Sequence, residues 1–122
     1  MAVSLAIPPF TQQVGAARQV ERAVPNGLTS VMISLDSTAF TDPDRTVVLK
    51  LFISYDNGGT WNDLAEATYP GGERLGDGGV PETTLGIETT FHRPVGATRR
   101  MRATIEAIGG AFVTSGGTLT AT

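Results

Sequence analysis

Few residues in this chain have both the type and the spacing to do chemistry. His92 is the only histidine. No serine nucleophile or metal-ligand spacing surrounds it, so neither a hydrolytic triad nor an imidazole metal site is specified. Asp42 with Asp44, and Asp56 with Asp63, bring carboxylates close in sequence. Neither pair follows an EF-hand loop, and solvated loop carboxylates are the expectation. A glycosidase pair needs two acids singled out by their surroundings, and nothing here singles them out. Cysteine is absent, which removes disulfides, thiolate nucleophiles and zinc–thiolate sites. The reading is a chain with no catalytic, cofactor or metal site.

Arginine is the remaining chemical signal. Lys50 is the only lysine, and Arg93, Arg99, Arg100 and Arg102 lie close together in sequence. Arg100 and Arg102 share one face of a strand, which would set their guanidinium groups about 7 Å apart. A nucleic-acid surface would carry more basic residues with aromatics between them. Ion pairs to acidic residues of a partner protein, or of an adjacent strand, are expected instead. Arg100 and Arg102 are therefore candidate partner contacts.

The element that organises the chain runs from Thr46 to Trp61. Val47, Leu49, Leu51, Ile53 and Tyr55 fall on one parity, while Val48 and Phe52 alternate with Lys50 and Ser54 on the other. Period two with β-branched and aromatic enrichment specifies a strand covered on one face and partly on the other. Asp56, Asn57, Gly58 and Gly59 tolerate the positive φ of a tight hairpin, and Trp61 to Thr68 is the returning strand. Ser54, Asp56, Gly58, Thr60 and Trp61 also match the Asp-box at all five fixed positions. This pattern resembles the motif of sialidases and other glycan-active β-propellers. There it sits on a hairpin away from the catalytic centre, so the resemblance implies a structural turn and no sialidase activity. The motif appears once, and a propeller needs several blades.

Residues 1–13 read as an extended N-terminal arm ahead of a β domain at 14–122. Pro8 and Pro9 cannot donate to a ladder, while Val3, Leu5, Ile7 and Phe10 need apolar contacts. The arm is either an edge strand on its own domain or a segment lying on a partner; the second reading makes those four residues candidate partner contacts. Val14 to Val24 alternates with neither face clean. Leu28 to Asp36 is a clear strand with Val31, Ile33 and Leu35 inward. A loop from Ser37 to Asp44, anchored by Phe40, leads to the hairpin, and Tyr69 to Glu82 forms a long glycine-rich loop. Thr83 to Phe91 is a strand and Arg93 to Ala97 a turn. Arg99 to Ile108 sets Met101, Ala103, Ile105 and Ala107 on one face. Ala111 to Ala121 is the last strand, with a bulge at Gly116-Gly117. Seven or eight short strands specify one all-β, antiparallel β-sandwich, jelly-roll-like or immunoglobulin-like.

Composition agrees. The 122 residues make one domain, and a net charge of −3 gives no general attraction to nucleic acid or an anionic membrane. The opening has no basic n-region and no segment reaches a bilayer-spanning apolar run, so a soluble protein made in the cytoplasm without processing is expected.

Taken whole, the sequence resembles the small β-sandwich decoration (cement) proteins of tailed-phage heads. The features are the apolar arm, the turn-rich β domain, the absence of cysteine, and the Ser54–Trp61 hairpin. The resemblance implies a non-enzymatic virion protein that binds the major capsid protein or another virion protein, often as a trimer, and braces the lattice. It carries over no individual functional residue. Two other classes fit the same sandwich. A carbohydrate-binding module would present Trp61, Tyr55 or Tyr69 to a glycan, and a tail or baseplate component would differ only in its place on the particle.

Overall fold

The computed structural model describes residues 2–37, 46–70, 84–91 and 98–122. Nine strands are formed among the described residues: β1 (Val3–Ile7), β2 (Phe10–Gln12), β3 (Ala17–Val24), β4 (Ser30–Ser37), β5 (Thr46–Ser54), β6 (Asn62–Pro70), β7 (Thr84–Thr90), β8 (Arg99–Ile108) and β9 (Phe112–Ala121). They make two sheets, one ordered β1-β9-β4-β7 with β2 also on β9, the other β3-β8-β5-β6. All strand pairs are antiparallel. Only β5 and β6 are joined as neighbours in one sheet; the other links from β2 onward cross between sheets, giving a jelly-roll-like sandwich rather than an immunoglobulin-like one.

The inner faces follow the alternation of the sequence. Val31, Ile33 and Leu35 of β4, Val47, Leu49, Leu51 and Ile53 of β5, and Met101, Ala103, Ile105 and Ala107 of β8 are buried in one core. Each large aliphatic side chain so covered stabilises the fold by about 1.5–3 kcal/mol before entropy is counted. Tyr55, expected on that inner parity, is only partly buried, because the strand ends at Ser54.

Residues 1–13, read from the sequence as an arm, form two short strands on the edge of the sheet that holds β9. β1 pairs with β9 from Val3↔Ala121 to Ile7↔Gly117, and β2 continues on β9 from Phe10↔Thr114 to Gln12↔Phe112. Between them Pro8 and Pro9 break the ladder opposite the bulge of β9. There Asp36 pairs with Gly116 and Ser37 with Thr114, leaving Ser115 unpaired. The bulge thus begins one residue before the Gly116-Gly117 expected for it. Gly116 has φ +108°, and a Cβ would lie 2.5 Å from the Ile7 carbonyl oxygen, so only glycine fits.

The mixed faces of β3 also find their reason. Arg18 and Arg22 sit on its inward parity at the sheet edge, where the core runs out and β1 and β2 lie opposite. Arg18 stacks 4.4 Å from the Phe10 ring centroid, and Arg22 donates from Nη1 to the Ser4 carbonyl. At the other open side Tyr69 of β6 reaches β7: its hydroxyl donates to the Gly86 carbonyl at 2.5 Å and accepts the Gly86 N–H at 3.1 Å. Side chains therefore close both sides of the sandwich where edge backbone would otherwise be free. Phe40, Asp42, Asp44, His92, Arg93 and the Arg93–Ala97 turn lie outside the described residues, as does most of the Tyr69–Glu82 loop.

Candidate functional site

The β5–β6 hairpin is built from its own side chains. Asn57 (φ 58°) and Gly58 (φ 94°) occupy the left-handed region that this turn requires. Ser54 Oγ donates to Asp56 Oδ1 at 2.7 Å and accepts the Gly58 N–H at 2.8 Å; Thr60 N–H donates to the same Asp56 oxygen at 2.7 Å. These bonds hold the Asp56 carboxyl below its ordinary pKa, the Ser54 hydroxyl contributing most and the Thr60 N–H next. Asn57 N–H also donates to the Thr98 carbonyl at 2.9 Å, tying the turn to the start of β8. The Ser54 hydroxyl and the Asp56 carboxylate both serve the turn. Ser54, Asp56, Gly58 and Thr60 are thus placed in the turn, with Trp61 just after it.

Trp61 is half-buried and lies over Gly58, whose absent Cβ would meet the indole at 3.7 Å. Arg102 covers it, with Cζ 4.2 Å from the Trp61 ring centroid and 5.0 Å from that of Phe52. Such stacking is favourable by about 0.5–2 kcal/mol. In register Arg102 stands opposite Glu21, yet Glu21 pairs instead with Arg100, Oε1 to Nη2 at 3.5 Å. The two arginines expected to reach a partner are thus engaged within the chain. The four apolar residues expected to do the same contribute to their own domain: Ile7 is 3% exposed, and Val3, Leu5 and Phe10 pack partly buried against the core. The edge-strand alternative describes them.

Sequence reasoning missed two features. Val14, Ile108 and Val113 are large apolar residues left exposed. Val14 bridges to Ala107, next to Ile108 on β8, while Val113 pairs with Thr11 in the other sheet. The second is Arg99. It has the inward parity of Met101 and Ala103, a signal readable in the alternation, and is 3% exposed. Its Nη2 donates to Asn26 Oδ1 at 2.7 Å and the Pro25 carbonyl at 3.3 Å, and Nη1 to the Leu28 carbonyl at 3.5 Å. Nε is buried without a partner. Arg99 thereby holds the β3–β4 turn, and beside it Arg22, Pro25, Asn26 and Thr98 line an open cavity of about 380 Å³.

Among the described residues there is no group of three or more His, Cys, Asp or Glu that could hold a metal ion. The described residues include no helix, hence none able to cross a bilayer.

No family model matches the sequence, and no curated protein does. Solved structures do share the fold. The chain is similar to the Yersinia pseudotuberculosis-derived mitogen, at 12% identity and TM-score 0.51, covering 100% of this chain and 85% of that one. It is similar to Eiger TNF from S. frugiperda, at 8% identity and TM-score 0.51, over 98% of this chain and 90% of that one. It also superposes on VP2 of the infectious bursal disease virus subviral particle, at 8% identity and TM-score 0.55. That match covers 99% of this chain but spans only 32% of the viral one. At these identities the likeness is one of fold, and the chain is an antiparallel β-sandwich of the kind that viral capsid, mitogen and TNF structures contain.

Proposed function

We propose that this is a non-enzymatic structural protein of a virion, a head decoration protein of a tailed phage that binds the outer capsid lattice as a homo-oligomer. One observation carries the reading: the residues that would serve a ligand platform are spent inside the chain. Trp61 is covered by Arg102, the Tyr69 hydroxyl is bonded to Gly86, and Tyr55 packs against the core. A carbohydrate-binding sandwich needs an aromatic face free to stack on a sugar, and here Arg102 lies over the Trp61 ring while Tyr55 and Tyr69 are partly buried against the core. What the molecule offers outward is sheet face together with the exposed Val14, Ile108 and Val113, which suits broad contact with protein. The likeness to a viral capsid sandwich supports the same direction through fold alone.

Rebinding tests this reading. Purified chain added to phage particles lacking it should co-sediment with heads and raise their resistance to heat, while a glycan array stays blank. Sedimentation with isolated tails would move the protein to a tail or baseplate. Array binding that Trp61→Ala abolishes, with no affinity for particles, would replace the proposal by the glycan-binding one.

A further inference from the structure

We propose that Asn26 is a self-modification site, where the Asn26-Gly27 pair closes to a succinimide and opens to an aspartate that becomes the counter-ion of Arg99. The burial of Arg99 is the first ground. A guanidinium stays charged in a protein, and a buried charge is costly unless an opposite charge or a full set of hydrogen bonds compensates it. Arg99 is 3% exposed, and its hydrogen-bond partners among the described residues are all neutral. Nη2 donates to Asn26 Oδ1 at 2.7 Å and to the Pro25 carbonyl at 3.3 Å, and Nη1 to the Leu28 carbonyl at a weak 3.5 Å. Nε has no partner, and Cζ lies 5.9 Å from the Phe91 ring centroid. The shortest of these bonds falls on an amide that can become a carboxylate in place.

The chemistry is local to two residues. Asparagine before glycine is open to ring closure, because glycine has no side chain to shield its backbone nitrogen. The Gly27 nitrogen attacks Asn26 Cγ and a new C–N bond forms. The Cγ–Nδ2 bond breaks, and the amide leaves as ammonia, taking the proton that Gly27 gives up. Water then opens the ring. Addition at Cγ restores the backbone with an aspartate side chain, whereas addition at the main-chain carbonyl leaves isoaspartate. Arg99 bears on both steps, since its guanidinium sits where negative charge develops on Oδ1 when Cγ is attacked by nitrogen or by water. Among the described residues no backbone N–H donates to the main-chain carbonyl of Asn26, so Arg99 favours opening at Cγ and hence aspartate. Asn26 and Gly27 are exposed, and a Cβ on Gly27 would meet nothing within 4 Å, which leaves room for water.

The chain carries its own control. Asn57-Gly58 is the second asparagine–glycine pair, but there the hairpin holds the attacking nitrogen: Gly58 N–H donates to Ser54 Oγ at 2.8 Å. Asn57 is itself fixed at φ 58° and tied through its N–H to the Thr98 carbonyl. The same two-residue sequence thus stands once beside a buried cation and once inside a turn that restrains it. The inference stands apart from the virion role and uses none of its premises.

The test is peptide mapping by mass spectrometry of the full chain aged in mildly alkaline buffer, with a second sample aged in urea. Cleavage after Arg22 and Lys50 puts the two asparagines on different peptides. In the native chain the amide-to-acid change at Asn26 should run at least about tenfold ahead of that at Asn57, with aspartate the main product. In urea the two sites should react alike and give mostly isoaspartate. An Asn26 that stays intact, or that reacts no faster than Asn57 in the native chain, would overturn the proposal. A native product as rich in isoaspartate as that in urea would overturn the part given to Arg99. Asn26→Asp supplies the product without ageing. It should melt above the wild type at neutral pH and lose that margin in acid, as the paired carboxylate takes up its proton. A variant that melts no higher at neutral pH would show that Arg99 gains nothing from the carboxylate, and the counter-ion would fall. Particle binding does not enter these measurements, so the virion role can fail while this site stands.

Discussion

At the scale of single residues, Asp56 has one job. Its carboxylate accepts from Ser54 and from the Thr60 N–H, and both bonds favour the charged form, so its folded-state pKa lies below the ordinary value of about 3.8. A carboxylate depressed on folding stabilises the native state above its unfolded pKa and loses that contribution as pH falls through the folded value. Asp56→Ala should therefore lower the melting temperature by several degrees at neutral pH. The gap between wild type and variant should close on acidification below about pH 3.8, read as the difference between two thermal melts at each pH. A gap that persists unchanged in acid would mean that packing, not the carboxylate, holds the turn. The motif was legible in sequence because the bonds among Ser54, Asp56, Gly58 and Thr60 fall within eight residues. Arg102 against Trp61 and Phe52 was not, since that stack depends on which strands neighbour β8. Arg99 sits between the two cases: its inward parity is local information, but its turn partners come from the β3–β4 connection, far away in the chain.

Strands were legible where one face is apolar along most of its length, as in β4, β5 and β8. They were ambiguous where the sandwich ends. β3 read as mixed because its inward parity carries Arg18 and Arg22, which reach across to the edge formed by β1 and β2. The first segment read as an arm because Pro8 and Pro9 interrupt it, yet the break coincides with the bulge at Ser115 and Gly116 that lets one strand serve two short partners. Deleting residues 1–10 should thus damage the domain itself. It uncovers the β9 edge and removes the buried Ile7, and the melting temperature should fall by more than about 10 °C. A truncated chain with unchanged stability would restore the detachable arm. The opposite edge has a finer probe. Tyr69→Phe keeps the ring but leaves the Gly86 N–H and C=O without their hydroxyl partner. It should cost about 1 kcal/mol, with faster amide exchange at Gly86 by NMR and little change at β5. Equal exchange in both proteins would show that water replaces the hydroxyl freely.

The order of strands belongs to the whole molecule, and no local pattern carries it. β9, last in sequence, lies between β1 and β4, so that Ala121 faces Val3 on one side and Val31 on the other. One sheet consequently has no continuous form until the ten residues of β9, Phe112–Ala121, are in place. The other sheet does not share this dependence, since β3, β8, β5 and β6 are complete by Ile108. Its inner face, however, is covered only by the sheet that β9 joins. Such non-local pairing makes folding slow and all-or-none. A chain ending at Gly110 should show neither a partial sandwich nor a stable half. Its amide spectrum should collapse to the narrow dispersion of an unfolded chain. Adding a separate peptide of residues 111–122 should restore dispersion in proportion to its concentration, as expected when a missing central strand is supplied. Native-like dispersion in the shortened chain alone would mean that β1 and β4 can pair without β9, and the central place of β9 in its sheet would no longer explain why the fold is all-or-none.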